Sequence, residues 1–306
     1  MLSFDQNVRF RIDNTNFNYT ARGATHIVQT GGVDAVTCGL AGEAAPGLSL
    51  GASINYWIDG LDHPYAWREL DSESVSLTFS DGTVVPAGGL SQDTFEHFRG
   101  ANGSLGFLWR LDSSISLGGV WKWPFTAHVN HISRLLDDPT STVVRARHRL
   151  QFPASYGLGL SWRPTDRLTF SSDLTYVDWG RFRAVDSAGT EYLVTGDPAG
   201  SASVDGVFTP RVGTEYLFLV RPGYAIATRG GVFYDPQPAR GSSKSFFGGS
   251  LGIGLTFSSL SVDLAYQIRF GLDARNTSVA TQFLDVANIP SDTIQNTIYL
   301  SLIRYF

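Results

Sequence analysis

The chain has 306 residues, enough for one large domain or two ordinary ones, with 42% apolar and only 17% charged residues and a net charge of −5. That balance leaves no electrostatic footprint for nucleic acid, and one cysteine, Cys38, excludes an internal disulfide framework. Apolar runs such as Tyr216–Val220 fall far short of the roughly 20 residues that a membrane helix needs.

The first segment, "LSFDQNVRFRID", lacks the basic start, apolar run and small-residue cleavage site of a signal peptide. From there the chain alternates apolar and polar residues with period two, the mark of strands, over about twelve segments. They lie near 2–12, 31–42, 47–59, 93–111, 114–129, 142–163, 167–185, 207–219, 223–235, 244–258, 260–273 and 294–306. In 114–129, Ile115, Leu117, Trp121, Trp123, Phe125 and Val129 fall on one face, against Ser116, Gly118, Lys122, Thr126 and His128. In 142–163, Val144, Ala146, Leu150, Phe152, Leu158, Leu160 and Trp162 oppose Arg145, Arg147, Arg149, Gln151, Ser155 and Ser161. In 260–271, Leu260, Val262, Leu264, Tyr266, Ile268 and Phe270 oppose Ser261, Asp263, Gln267 and Arg269.

Tight turns at 42–47, 111–114, 163–167, 220–223 and 258–260 alternate with long polar loops near 60–92, 130–141, 186–206, 236–243 and 274–293. Short turns at one end, long loops at the other and strands of about ten residues or more describe an all-β, transmembrane, antiparallel up-and-down β-barrel. A sheet in lipid has to close so that every backbone group is paired, which predicts that the last strand meets the first. Trp109, Trp162, Tyr216 and Phe218 fall near the short turns, and Trp57, Trp123, Trp179 and Tyr234 near the long loops, as two aromatic girdles would. A soluble β-sandwich also alternates, but with strands of about five or six residues. The expectation is a single barrel domain over 1–306 in a bacterial outer membrane.

The closing "YLSLIRYF" (299–306) resembles the signal read by the outer-membrane barrel assembly machinery, with Ile298, Leu300, Leu302 and Phe306 outward and Arg304 as a departure from the pattern. A broader resemblance runs through "GGVDAVTCGLAGEAAPGLSLGASINYW" (31–57), "GSLGFLWRLDSSISLGGVWKWPFTAHV" (103–129) and "FPASYGLGLSWRPTDRLTFSSDLTYVDWGRFR" (152–183). It continues in "VGTEYLF" (212–218), "RGGVFYDPQP" (229–238) and "GGSLGIGLTFSSLSVDLAYQIRFG" (248–271). In this ordered series the chain resembles the FadL-type outer-membrane transporters of long-chain fatty acids and other hydrophobic compounds. The resemblance implies fourteen strands, a lumenal hatch, and energy-independent passage of a hydrophobic molecule that leaves sideways through the wall. Against that family the expectation is a chain without the signal, the hatch and about one hairpin, as either a fragment or a shortened relative. A general diffusion porin for small hydrophilic solutes is the alternative.

On these expectations Lys122, Arg145, Arg147, Arg149 and Asp173 face the lumen, as a rail for a carboxylate or as a polar network that fills the interior. Tyr65, Trp67, Leu77 and Phe79 supply an extracellular capture surface or pack their loop against itself. The implied partners are outer-membrane lipid and lipopolysaccharide, the assembly machinery and a hydrophobic ligand such as a fatty acid. No catalytic constellation is found. There is no G-x-S-x-G elbow around "HIS" (131–133), "HVNH" (128–131) lacks further metal ligands, and nothing calls for a cofactor.

Overall fold

The computed structural model describes residues 2–14, 19–138, 140–240, 245–275 and 290–304. Its strands are β1 (Leu2–Asn14), β2 (Tyr19–Gly31), β3 (Val33–Ala45), β4 (Leu48–Asp59), β5 (Trp67–Phe79), β6 (Val84–Arg110), β7 (Ile115–Lys122), β8 (Phe125–Leu135) and β9 (Val144–Phe152). They continue as β10 (Ser155–Thr165), β11 (Leu168–Val177), β12 (Arg183–Val185), β13 (Glu191–Tyr192), β14 (Val207–Arg221), β15 (Tyr224–Tyr234), β16 (Phe246–Phe257), β17 (Leu260–Arg275) and β18 (Pro290–Arg304). All the strand pairs are antiparallel and belong to one sheet.

The pairings divide that sheet into two storeys. The barrel wall runs β3, β4, the second half of β6, β7, β10, β11, β14, β15, β16, β17, β18. Above it, at the long-loop end, β1, β2, β5, the first half of β6, β8, β9 and β12 form a sheet that projects beyond the wall. The region 60–92, read as a loop, therefore carries β5 and the start of β6. Its acidic inner positions mask the alternation that would have marked it as strand. Most of the loop expected at 274–293 lies outside the described residues.

Local chemistry sets the tight turns at the lower end. The Asp112 carboxylate accepts from the N–H groups of Ser114 and Ile115 at 2.6 and 2.8 Å, an Asx turn joining β6 to β7. Thr165 Oγ1 accepts from Leu168 N at 3.1 Å between β10 and β11, and Gly47, at φ 75°, turns β3 into β4.

The wall is apolar outside. Leu40, Leu251, Leu300 and Leu302 are each at least 70% exposed, as suits a surface solvated by lipid tails. Trp109, Trp162, Phe170, Tyr216 and Phe257 are exposed at the lower rim, and Trp121, Trp123, Tyr156, Phe208 and Phe247 at the upper rim, so the band lies between two aromatic rings. Trp57, expected in the upper ring, points inward instead, donating through Nε1 to Asn102 Oδ1 at 2.9 Å.

β18 pairs with β17, and β1 with β2. Among the described residues no pairing joins β18 to β1, so the expected last-to-first contact is not part of the described ladder. Ile298, Leu300 and Leu302 lie exposed on β18, and Phe306 lies outside the described residues.

Candidate functional site

Where the two storeys meet, three neighbouring strands change face. In β6 the register slips by one residue between Glu96 and Arg99, with His97 at φ 58° in the left-handed region. The Asp59 carboxylate holds this bulge by accepting from His97 N and Phe98 N, each at 2.7 Å. The next strand breaks at Trp123–Pro124 between β7 and β8, and its neighbour at Pro153–Ala154 between β9 and β10. Proline has no N–H for the ladder, which is why the pairing lapses at these two points.

Each break inverts the alternation. Below it, Trp121 and Tyr156 point to lipid while Lys122 and Ser155 pair with each other on the lumen face, Lys122 also lying across from Ser104. Ser104 Oγ meets Ser53 Oγ at 2.7 Å on that inner face. Above the break, Phe125, Ala127, Val129 and His131 turn inward, as do Phe152, Leu150, His148 and Ala146 opposite them. Arg145, Arg147 and Arg149 consequently lie on the outer face of the projecting sheet. Their expected lumenal position is corrected by the two proline breaks, because a period-two pattern carried unbroken from Trp162 to Val144 assigns the wrong side. The two histidines of "HVNH" part company in the same way, His131 inward and His128 outward. Among the described residues no three His, Cys, Asp or Glu side chains converge as metal ligands would.

What the inversion gathers is an aromatic column on the inner face. Trp57 faces Phe125 with centroids 6.4 Å apart, Phe125 stacks on Phe152 at 4.7 Å, and Phe152 meets Phe182 edge-on at 5.4 Å. Higher up, Trp67 stacks on Phe95 at 4.4 Å and Phe95 on His131 at 4.3 Å. Ala66, Phe98, Ala127 and Val129 form the buried floor behind both groups. Burial of this kind is worth about 25 cal/mol per Å² of apolar surface, so the column is also what fastens the upper sheet to the barrel.

Acidic groups sit above the column on the same inner face. His131 Nε2 meets Asp93 Oδ1 at 2.6 Å, and this contact holds the Asp93 carboxyl below its ordinary pKa. Asp71 is pushed up to about 6, first by burial and then by its neighbours Glu69 and Asp93. His148 is pushed down, chiefly by burial and then by the proximity of His131.

Below the column the lumen becomes polar, and Arg211, Arg229 and Arg269 are matched there. Asp173 binds Arg211 at 3.3 Å, Arg229 reaches Glu215 at 2.6 Å and also binds Asp263, and Arg269 meets Asp235 at 2.9 Å. Asn55, Asn102 and Thr37 continue this hydrogen-bonded lining on β3, β4 and β6, at 2.8 to 3.0 Å.

The proline breaks also leave an opening in the ladder. A cavity of about 680 Å³ is lined there by Phe125 and Phe152 from the inner face and by Tyr156 and Tyr176 from the lipid face.

No family model matches the chain, and no curated protein matches it in sequence. Solved structures do match in fold. The chain is similar to a Pseudomonas aeruginosa FadL homologue at 16% identity and TM-score 0.53, covering 96% of this chain and 70% of that one. It is similar to a deltaS2S3 mutant of the TodX monoaromatic hydrocarbon channel at 14% identity and TM-score 0.51, covering 99% and 83%. A deltaS2 mutant of that channel aligns at 14% identity and TM-score 0.50, again covering 99% and 83%. The fold is that of the FadL-type barrels. On that fold this chain carries the inward aromatic column and the opening beside it. Sequence reading missed both, because its face assignments ran straight through the breaks. The signals that could have found them are Pro124 and Pro153, each inside an otherwise continuous strand pattern.

Proposed function

We propose that this protein lets hydrophobic compounds cross a bacterial outer membrane passively, by one barrel domain spanning residues 1–306. The observation that carries the reading is the aromatic column on the inner face from Trp67 to Phe182, in a position where a lumen for hydrophilic solutes would be polar. Apolar, stacked rings offer a guest favourable transfer from water and dispersion contact. The cavity at the proline breaks supplies a side exit toward lipid. Lys122 and Asp173 then lie on the polar wall below that exit, where Asp173 is already neutralised by Arg211. The likeness to a FadL homologue and to TodX channel mutants supports the same reading at the level of fold.

Cargo class follows from charge. Glu69, Asp71 and Asp93 share the inner face with the column, and the arginines that would have drawn a carboxylate stand outside. A fatty acid anion meets like charge at this mouth. A neutral aromatic or aliphatic compound does not. Neutral hydrophobic compounds are therefore the favoured cargo, with long-chain fatty acids second.

The test is uptake by the refolded chain in liposomes, with a neutral monoaromatic probe, a labelled long-chain fatty acid, a small sugar and ions as the four solutes. Saturable entry of the aromatic probe, with slower entry of the fatty acid at neutral pH, is the expected result. Faster fatty acid entry assigns that class instead, and unselective passage of sugar and ions makes the protein a porin. A Phe125→Ser, Phe152→Ser variant should slow the aromatic probe at least tenfold and leave ion passage no lower.

A further inference from the structure

The outer face of the projecting sheet carries a cationic patch that the transport reading does not use. Arg145, Arg147 and Arg149 alternate along β9, all three exposed, and two rows of the sheet extend them sideways. The register sets Arg99, His128 and Arg149 in one row across β6, β8 and β9, and Glu96, Asn130 and Arg147 in the next. Successive arginines on one face of a strand stand about 7 Å apart.

Among the described residues no ion pair or hydrogen bond reaches the side chains of Arg145, Arg147 or Arg149. Two acidic groups border the patch, and both are engaged elsewhere. The Asp186 carboxylate accepts from Ala188 N at 2.9 Å, Thr190 N at 2.8 Å and Tyr192 Oη at 3.3 Å, while Glu96 lies 3.4 Å from His97. Val185 ends β12 as the cross-strand partner of Arg149, and the turn 186–189 beyond it flanks a groove of about 800 Å³ beside the arginines. The groove is open to the outside.

Its height above the bilayer selects the ligand. Tyr156 is exposed to lipid at the upper aromatic ring, and Arg149 comes seven residues earlier on the same strand path. At about 3.3 Å per residue that is on the order of 20 Å along the strand path, or roughly 15 Å of height at the usual barrel tilt, so the ladder starts above the lipid headgroups and lies level with the sugar core of the outer leaflet. Short turns of outer-membrane barrels face the periplasm, which puts the ladder in the outer leaflet. Arginine forks bind phosphate oxygens in pairs, with greater strength than neutral hydrogen bonds.

We propose that the groove between the Arg145–Arg147–Arg149 ladder and the turn 186–189 binds the phosphorylated inner sugar core of a lipopolysaccharide molecule in the outer leaflet. This rests on the outer-membrane placement of the barrel and not on its cargo. Binding there holds the projecting sheet against the leaflet on one flank. The phosphate chemistry has two possible sources, the glycolipid and free phosphate, and the experiment separates them.

The refolded full chain in detergent is titrated with a rough-type lipopolysaccharide, with the same material chemically dephosphorylated, and with inorganic phosphate. Wild type is compared with an Arg145→Gln, Arg147→Gln, Arg149→Gln variant and with the corresponding Lys triple. Retention of the folded, heat-modifiable gel band controls for assembly. The glutamine triple should weaken lipopolysaccharide binding at least tenfold, the lysine triple should fall between it and wild type, and dephosphorylation should weaken wild type about as much as the glutamine triple. Equal binding by wild type and the glutamine triple, or equal binding of the dephosphorylated lipid, overturns the proposal. So does competition by millimolar phosphate, which would make the groove a small-anion site. Uptake of the neutral probe, measured separately, should be the same in all three proteins. Slower uptake by the glutamine triple with lipopolysaccharide binding intact would return the ladder to the cargo route and overturn the assignment.

Discussion

Arginines inside the barrel and arginines outside it live by different rules. In the lumen, Arg211, Arg229 and Arg269 each contact a carboxylate, and Arg229 bridges two. On the outer face of the projecting sheet, Arg145, Arg147 and Arg149 face open space. The inner set sits in a confined, partly desolvated space where an unmatched charge is costly. The outer set stands among water and core sugars, where each charge is cheap to keep and free to recruit a partner. For these six arginines, matched charge marks filling and unmatched charge marks a surface open to a ligand.

The sharpest way to break this contrast is to put an unmatched arginine where neither rule allows one. Leu251→Arg, in the lipid-facing band of β16, should cost roughly 2–4 kcal/mol of folding free energy, read from denaturant unfolding in lipid vesicles. A change under half a kcal/mol would mean that Leu251 does not face lipid. Next comes Arg229→Ala, which leaves Glu215 and Asp263 without their shared cation. Its side chain is 44% exposed to the lumen, so the cost should be about 1–2 kcal/mol, below that of a fully buried pair. Adding Glu215→Ala should recover part of the loss, and no recovery would argue that the bridge is not an energetic unit.

A smaller effect tests the acidic mouth. The folded-state pKa of Asp71, about 6, lies above the ordinary carboxylate value, so the folded protein holds this proton more tightly than the unfolded chain. The stabilisation is fully present below about pH 4 and is lost as pH rises through 6. Asp71→Asn should thus stabilise the upper sheet by about 1 kcal/mol at pH 8, after allowance for its partial exposure, and by almost nothing at pH 4. Hydrogen exchange of β5 amides at the two pH values reads this directly. The smallest expected change is Arg147→Gln, within about 0.5 kcal/mol at any salt concentration, because no described partner is lost.

The fold was legible because lipid solvates one face of every wall strand, and the alternation from Leu158 to Trp162 or from Leu260 to Phe270 has no other economical explanation. Turn chemistry was legible for the same local reason, as at Asp112. The projecting sheet was not. In β5 the inner face carries Trp67, Glu69, Asp71, Glu73 and Val75, a mixture that reads as polar loop until β2 and β6 are seen to flank it. The site was hidden by parity. Val144 and Leu158 share an even number and an apolar character, yet they serve opposite faces, since Pro153 and Ala154 fall between them without ladder partners. Only the cross-strand register, a non-local property, reveals that inversion.

The aligned breaks at His97, Pro124 and Pro153 carry an evolutionary consequence. In an ordinary strand, inserting or deleting one residue throws every side chain beyond it to the wrong face, so length changes are purged. Here a seam already resets the alternation, and the lengths of the two storeys can drift separately. A single-residue insertion at 123–124 or 153–154 can be absorbed locally, while the same insertion at Leu160 cannot. A change of length in the projecting sheet therefore leaves the register of the membrane band beneath it untouched.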